Sequence, residues 1–288
     1  MTDLRSWLFA APLLAAAGSE ALGAGDRVPI AELAHIHGVA FDAKDPSRVL
    51  LATHYGVFKA LTDGSAAQVS TTRDDFMGFT IVPGRDDLLI ASGHPETNGN
   101  LGLITSNDGG ANWRRVSEGA EGPADFHSLT VSPVDPDVFY GLYRGIQSSR
   151  DHGQSWELVG PGPDRVIDLA ASAVDEDALF AATGAGLFKS ADAGKSWTLI
   201  GPSSPVTMVE TGADGTLYAF FAGAGLYSAN PEGTQWTALN QGLSGREFLH
   251  MASEPGMPAH LVAVTHAGEV LESLDGGKAW EAFGSSSQ

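Results

Sequence analysis

The stretch Ser190-Ala-Asp-Ala-Gly-Lys-Ser-Trp197 decides the fold, because its pattern of serine, aspartate, glycine and tryptophan recurs along the chain. Intact copies of S-x-D-x-G-x-x-W lie at residues 106–113, 149–156 and 273–280. A degraded copy with one inserted residue lies at 228–236, and a nearly erased one lies at 60–65. Successive copies begin 38 to 46 residues apart, so the chain consists of six repeats.

Each copy has the chemistry of a turn. Aspartate and serine oxygens accept backbone N–H groups, glycine permits a positive φ, and tryptophan supplies a large apolar anchor. A single aspartate offers too few oxygen ligands for calcium, so we interpret the motif as structural. In the third repeat, short strand-like segments at 128–132, 138–142 and 145–148 precede the motif and another at 156–159 follows its turn. Four short strands per repeat of about 40 residues are typical of a propeller blade.

The motif resembles the Asp-box (BNR) repeat of sialidase-like propellers, and the resemblance covers the chain from residue 34 onward. The phrases at 35–39, 52–58, 75–79, 91–95 and 125–129 look like an exported bacterial subgroup described as glycosyl-hydrolase-like. We therefore expect an all-β, six-bladed β-propeller with four-stranded blades and Asp-box turns between strands three and four. The predicted blades span about 34–72, 73–120, 121–162, 163–202, 203–244 and 245–284, with a tail at 285–288. Residues 25–33 precede the first blade, and pairing of this segment with the last blade would close the ring.

Composition excludes several classes of function. The 288-residue chain carries a net charge of −19 without a Lys/Arg cluster, which argues against nucleic acids and anionic membranes as partners. It has no cysteine, so thiol catalysis, disulfides and cysteine-based zinc sites are absent.

The first 24 residues have the order of a secretory signal. Arg5 precedes an apolar run at 7–18, and small residues follow. The run is too short to span a bilayer as a stable helix, so we predict a cleaved signal peptide and no membrane span in the mature chain. We expect a periplasmic or secreted monomer.

Aligning the repeats brings chemically distinctive residues into three registers on the top face, around the central channel. The first register, at the start of each innermost strand, contains His37, Met77, His127, Ile167, Val206 and His250. The second, in the loop between strands two and three, contains His54, His94 and Arg144, with His266 one residue out of step. The third, two residues before the first, contains His35, Asp75, Asp125 and Arg165.

Imidazoles with a thioether and no thiolate predict a transition-metal site, with copper first and zinc second. The predicted ligands are His37, His127 and His250, with Met77, His54 and His94 adjacent. His35, Asp75 and Asp125 would surround these ligands, and the carboxylates would orient the imidazoles. No organic cofactor is expected, and a small polar ligand is the alternative occupant. Recurring histidines also arise by duplication alone, as structural residues at blade edges.

Two other histidines lie outside these registers. His152 lies within a box turn and His260 lies in a Gly/Pro-rich segment, so both are expected to be solvent-exposed.

A sialidase-like hydrolase is the first alternative function. The arginine signature of that family has only a weak counterpart in Arg27-Val28-Pro29, and Tyr55 and Tyr143 lack an evident glutamate partner. In this alternative Asp75 or Asp125 would act on glycans with nearby arginines. The second alternative is a non-catalytic scaffold or assembly factor, although the basic patch typical of such propellers is missing. The sequence leaves open whether the site is catalytic.

Overall fold

The structure is a computed structural model that describes residues 27–42, 44–240, 243 and 245–285. The predicted signal peptide at 1–24 lies outside the described residues, so it stays a prediction. Within the described ranges, no helix is long and apolar enough to cross a membrane.

The described chain forms six antiparallel sheets arranged as the blades of a β-propeller, which confirms the predicted fold. The first blade contains β1 (Arg27–Pro29), a 3-10 turn (Ile30–Glu32), β2 (Ile36–Phe41), β3 (Val49–Thr53), β4 (Gly56–Ala60) and β5 (Ser65–Gln68). The second contains β6 (Asp75–Val82), β7 (Arg85–His94), β8 (Leu103–Ser106) and β9 (Arg114–Ser117). The third contains β10 (Ser128–Val131), β11 (Phe139–Leu142), β12 (Ile146–Ser149) and β13 (Glu157–Gly160).

The remaining three blades repeat the same four-stranded order. The fourth contains β14 (Val166–Ala171), β15 (Leu179–Thr183), β16 (Gly186–Ser190) and β17 (Thr198–Ile200). The fifth contains β18 (Val206–Thr211), β19 (Leu217–Phe221), β20 (Gly225–Ala229) and β21 (Trp236–Asn240). The sixth contains β22 (Phe248–Glu254), β23 (Met257–Thr265), β24 (Val270–Ser273) and β25 (Glu281–Ala282).

The Asp boxes lie between strands three and four of their blades, and their hydrogen bonds are those of a turn. Asp192 accepts hydrogen bonds from the backbone N–H of Ser196 at 2.8 Å and from the hydroxyls of Ser190 and Ser196 at 2.8 and 2.6 Å. These bonds lower the pKa of Asp192 to about 2. In the degraded fifth box, Asn230 accepts the backbone N–H groups of Thr234 and Gln235 in the same way. The box carboxylates are therefore occupied by their own turns.

The first and last blades close the ring through side-chain packing. Ile36 and Val39 of the first blade share an apolar cluster with Val262 and Val264 of the sixth. The N-terminal strand β1 pairs with β5 of its own blade and not with the last blade, which answers a question that the sequence left open. Here β1 covers the outer edge of the first blade, which protects that edge from other chains.

His260 differs from its expected exposed position. It lies in β23 with 6% of its surface exposed, and each of its two ring nitrogens contacts a glutamate. Nδ1 lies 2.7 Å from Glu254 and Nε2 lies 2.8 Å from Glu272, while Phe41 of the first blade packs against the ring edge. By contrast, His152 is half-exposed in its box turn, where it pairs with Asp137. The Gly/Pro content near His260 therefore marked the turn before β23 and not the histidine itself.

The His260 contacts predict a pH-dependent contribution to stability. Burial lowers the pKa of His260, but the bonds to Glu272 and Glu254 outweigh it and the pKa is raised above 6.5. The stabilisation is therefore complete below pH 6.5 and is lost as the pH rises through the folded-state pKa. We expect His260→Leu to lower the free energy of unfolding by about 3 kcal/mol at pH 6, and by less at pH 9.

Denaturant unfolding of both proteins at the two pH values measures this difference. His152→Leu is the control and should change stability by less than about 1 kcal/mol, because its pair is exposed. An equal loss for His260→Leu at pH 6 and pH 9 would contradict the charged state of the buried imidazole.

Candidate metal centre

The inner strands of the six blades surround a central channel of about 720 Å³. Strand pairing defines which residues occupy equivalent places at its mouth. In blades one, four, five and six the pairing with the second strand skips one residue near the start of the inner strand, which marks a local bulge. The residues at this position in the six blades are His37, Met77, His127, Ile167, Thr207 and Leu249.

This register corrects the sequence alignment in two blades. Thr207 replaces Val206, which is buried between blades, as the channel residue of the fifth blade. In the sixth blade the equivalent residue is Leu249, and His250 lies one position further along the strand. The alignment of the boxes and second strands did not account for the residue that bulges in this blade, Leu249.

Three side chains converge at the mouth between the first and second blades. His37 in β2, His54 in the turn after β3 and Asp75 at the start of β6 each offer a ligand atom within 4.8 Å of the other two. Asp75 Oδ2 accepts a hydrogen bond from His54 Nδ1 at 2.7 Å, and Asp75 Oδ1 lies 3.8 Å from His37 Nε2. Among the described residues, this is the one group of three or more such donors that converges.

Two atoms of this cluster lack the partners that buried polar atoms normally have. His37 Nε2 and Asp75 Oδ1 are buried without a hydrogen-bond partner. An unsatisfied buried polar atom costs about 1–3 kcal/mol, so the pair is destabilising as it stands. A cation about 2 Å from each atom would satisfy both across their 3.8 Å separation.

His35 adds a third imidazole beside this cluster. Its ring centroid lies 4.9 Å from that of His54 and 6.2 Å from that of His37. The His35 backbone has a φ of +40°, a left-handed conformation that is costly for a residue other than glycine. Such strain persists where the surroundings impose it, often at functional sites.

A second set of imidazoles lies between the second and third blades. Asp125 is buried, and its Oδ2 lies 2.7 Å from His127 Nε2 and 3.0 Å from His94 Nε2. Both imidazoles remain about half-exposed, and His127 lines the channel. Asp125 Oδ1, like Asp75 Oδ1, is buried without a partner.

The structure thus distributes the predicted ligands differently from the sequence hypothesis. His37, His127 and His250 do not form the convergent group; His37 lies with His54 and Asp75, whereas His127 lies with His94 and Asp125. Met77 lines the channel in the register of His37 but belongs to neither set of hydrogen bonds. Asp75 and Asp125 contact imidazoles directly, in the orienting position that the sequence suggested.

Burial keeps two of the imidazoles neutral. It lowers the pKa of His37 to about 4, aided by the nearby His54 and opposed by Asp75. Burial alone lowers the pKa of His250 to about 4. In contrast, the hydrogen bond to Asp125 raises the pKa of His127. Neutral imidazole is the metal-binding form, so His37 is ready to bind a cation at neutral pH.

The tyrosines and arginines considered for a sialidase site make other contacts in the structure. Tyr143 contacts Asn100 through its hydroxyl, and Arg144 stacks on the Tyr143 ring. Arg73 likewise stacks on Tyr55. Neither tyrosine has a glutamate hydrogen-bond partner among the described residues, so the nucleophile of that family is not assembled there.

Fold and channel together define a six-bladed β-propeller with an imidazole–carboxylate mouth, and solved structures support the fold. The chain is similar to a GH74 xyloglucanase from Xanthomonas campestris, with 19% identity over 89% of this chain and 46% of the other at a TM-score of 0.58. It is also similar to the GH74 enzyme of Niastella koreensis, with 16% identity over 87% and 45% and a TM-score of 0.62. The chain spans less than half the length of these enzymes.

A third similar structure is YCF48 from Cyanidioschyzon merolae, with 16% identity over 89% of this chain and 87% of the other and a TM-score of 0.53. At these identities the likeness shows the fold alone. No protein-family profile and no curated protein matches the chain. Its resemblance to the exported sialidase-like subgroup therefore stays a prediction.

The pKa values predict how the histidines titrate in metal-free protein. By NMR, His37 and His250 should stay neutral down to about pH 4, whereas His127 should titrate above 6.5. Because an unfolded histidine takes up a proton near 6.5, the free energy of unfolding should fall as the pH drops from 6.5 towards 4. Titration of both His37 and His250 near 6.5 would contradict their burial.

Proposed function

We propose that this propeller binds a divalent transition-metal ion at its channel mouth through His37, His54 and Asp75, and serves in metal handling or redox chemistry. The observation that supports this best is the pair of unpartnered buried atoms, His37 Nε2 and Asp75 Oδ1, within a convergent cluster. A structural histidine would be expected to satisfy its carboxylate partner. Here Asp75 is satisfied through one oxygen only.

The donor set favours copper as Cu²⁺, with Zn²⁺ second. The cluster offers imidazole nitrogen and carboxylate oxygen, and for such donors the affinity of divalent ions peaks at copper. The convergent group contains no sulfur, so the soft donors that select Cu⁺ are not part of it. Met77 lines the same channel and offers a thioether there.

The surroundings favour capture of a cation from solution. His54 has 39% of its side chain exposed, so the cluster opens to solvent. The net charge of −19 raises the local concentration of cations around the protein. Export to the periplasm or beyond is part of this proposal and rests on the sequence of residues 1–24.

Glycan hydrolysis and scaffolding have less support. Likeness to GH74 enzymes and to YCF48 concerns the fold, and the chain spans under half of the former. A glycosidase needs one carboxylic acid free to protonate its substrate. Asp75 and Asp125 are instead held by imidazoles.

Metal titration of ligand variants tests the proposal. We expect His37→Ala and Asp75→Asn to weaken Cu²⁺ binding by roughly 100-fold or more. Loss of a group that hydrogen-bonds to a metal ligand costs about 10–100-fold in affinity, and loss of the ligand itself should cost at least as much. Isothermal titration of chelator-treated protein measures the affinity. His152→Ala removes an exposed imidazole of an Asp-box turn that is not among the proposed ligands, so it should leave the affinity unchanged. Unaltered binding by both cluster variants would sink the proposed site.

A further inference from the structure

The two imidazole–carboxylate clusters occupy equivalent positions in successive pairs of blades. Strand pairing sets Phe76 opposite Gly93 in the second blade as it sets Ile36 opposite Thr53 in the first. His54 and His94 therefore occupy equivalent positions, each one residue beyond the paired residue, with His54 in the turn after β3 and His94 at the end of β7. Each contacts a carboxylate of the next blade, Asp75 at the first residue of β6 for His54 and Asp125 just before β10 for His94.

The repetition extends to the buried oxygen that has no partner. In each pair of blades, Oδ2 of the aspartate lies within 3.0 Å of a ring nitrogen of this histidine, and Oδ1 is buried without a hydrogen bond. Asp125 is the more deeply buried of the two carboxylates, with 5% of its side chain exposed against 19% for Asp75. Burying a carboxylate with an open oxygen is costly unless a cation or donor completes it.

The hydrogen bond on the other side of His94 points to a ligand as well. Nδ1 lies 3.1 Å from the carbonyl oxygen of Gly99, and a carbonyl oxygen only accepts, so Nδ1 carries the proton. Nε2, on the opposite side of the ring, lies 3.0 Å from Asp125 Oδ2. A backbone carbonyl on the remote N–H is also the usual outer partner of a metal-bound histidine.

We infer that His94, Asp125 and His127 form a second binding site for a divalent transition-metal ion, one blade along from the first. This inference rests on the proposed function, because both sites pair a histidine of one blade with an aspartate of the next. The contacts that support the second site are separate from those of the first. The half-exposed side chains of His94 and His127 have room to reorient around an ion, while the buried Asp125 stays fixed. One carboxylate and two imidazoles match the donors of the first site.

The number of ions per chain tests the inference. The chelator-treated protein is loaded with excess CuSO₄, and separately with ZnCl₂. It is then desalted and analysed by elemental mass spectrometry. We expect two ions per wild-type chain and one in His94→Ala, His127→Ala and His37→Ala. The double variant His37→Ala/His94→Ala should hold none. His152→Ala is the matched control and should keep two.

Two further measurements guard against loss of folding. His94→Gln and His127→Gln retain side-chain donors, and circular dichroism melting checks that each variant folds. In Cu²⁺-loaded wild type, electron paramagnetic resonance should show two sets of nitrogen-coordinated copper, and each His94 or His127 variant should lose one. A merely structural imidazole would leave that spectrum unchanged.

The outcomes separate the two sites. One ion in wild type that persists in the His94 and His127 variants overturns the second site and leaves the first intact. Two ions in His37→Ala, with one lost in His94→Ala, overturn the proposed first site and support the second. Wild-type ion content in every variant overturns both.

Discussion

The constraint on which the structure depends is the register of the inner strands around the ring. Each Asp box satisfies backbone N–H groups of its own turn, which fixes where the third strand ends and the fourth begins. Side chains then join inner strands of neighbouring blades, as when Ser128 and Asp168 hydrogen-bond across the third and fourth blades. Because the blades are equivalent, side chains at one register position meet at one height of the channel. The site is a consequence of this register.

The fold could be predicted from the sequence because the box is local. Its serine, aspartate, glycine and tryptophan act within eight residues, so spacing alone reveals the turn and the blade. The identities of the histidines and aspartates at the mouth were also visible, since the repeats bring them into register. Pairings between blades were not, because they depend on how far each blade is rotated against the next. Hence the contact of His54 with Asp75, and of His94 with Asp125, emerged only from the structure.

Two errors of register have the same physical origin. A bulge near the start of the inner strand adds one residue to one side of the strand pair, and sequence alone gives no sign of it. Thr207 and Leu249 therefore take the places assigned to Val206 and His250. His260 illustrates a different limit: its burial depends on Glu254 and Glu272, and alternation within β23 does not reveal that both carboxylates point at one ring.

If the inter-blade imidazole–carboxylate clusters of this propeller are metal sites, and not structural pairs alone, copper binds them at defined positions. Anomalous X-ray diffraction from crystals soaked in a copper salt, with data on both sides of the copper edge, locates the bound ions. We expect an anomalous peak about 2 Å from His37 Nε2 and Asp75 Oδ1. A well-ordered soaked crystal with His54 and Asp75 still hydrogen-bonded, and no peak at the channel mouth, would contradict it.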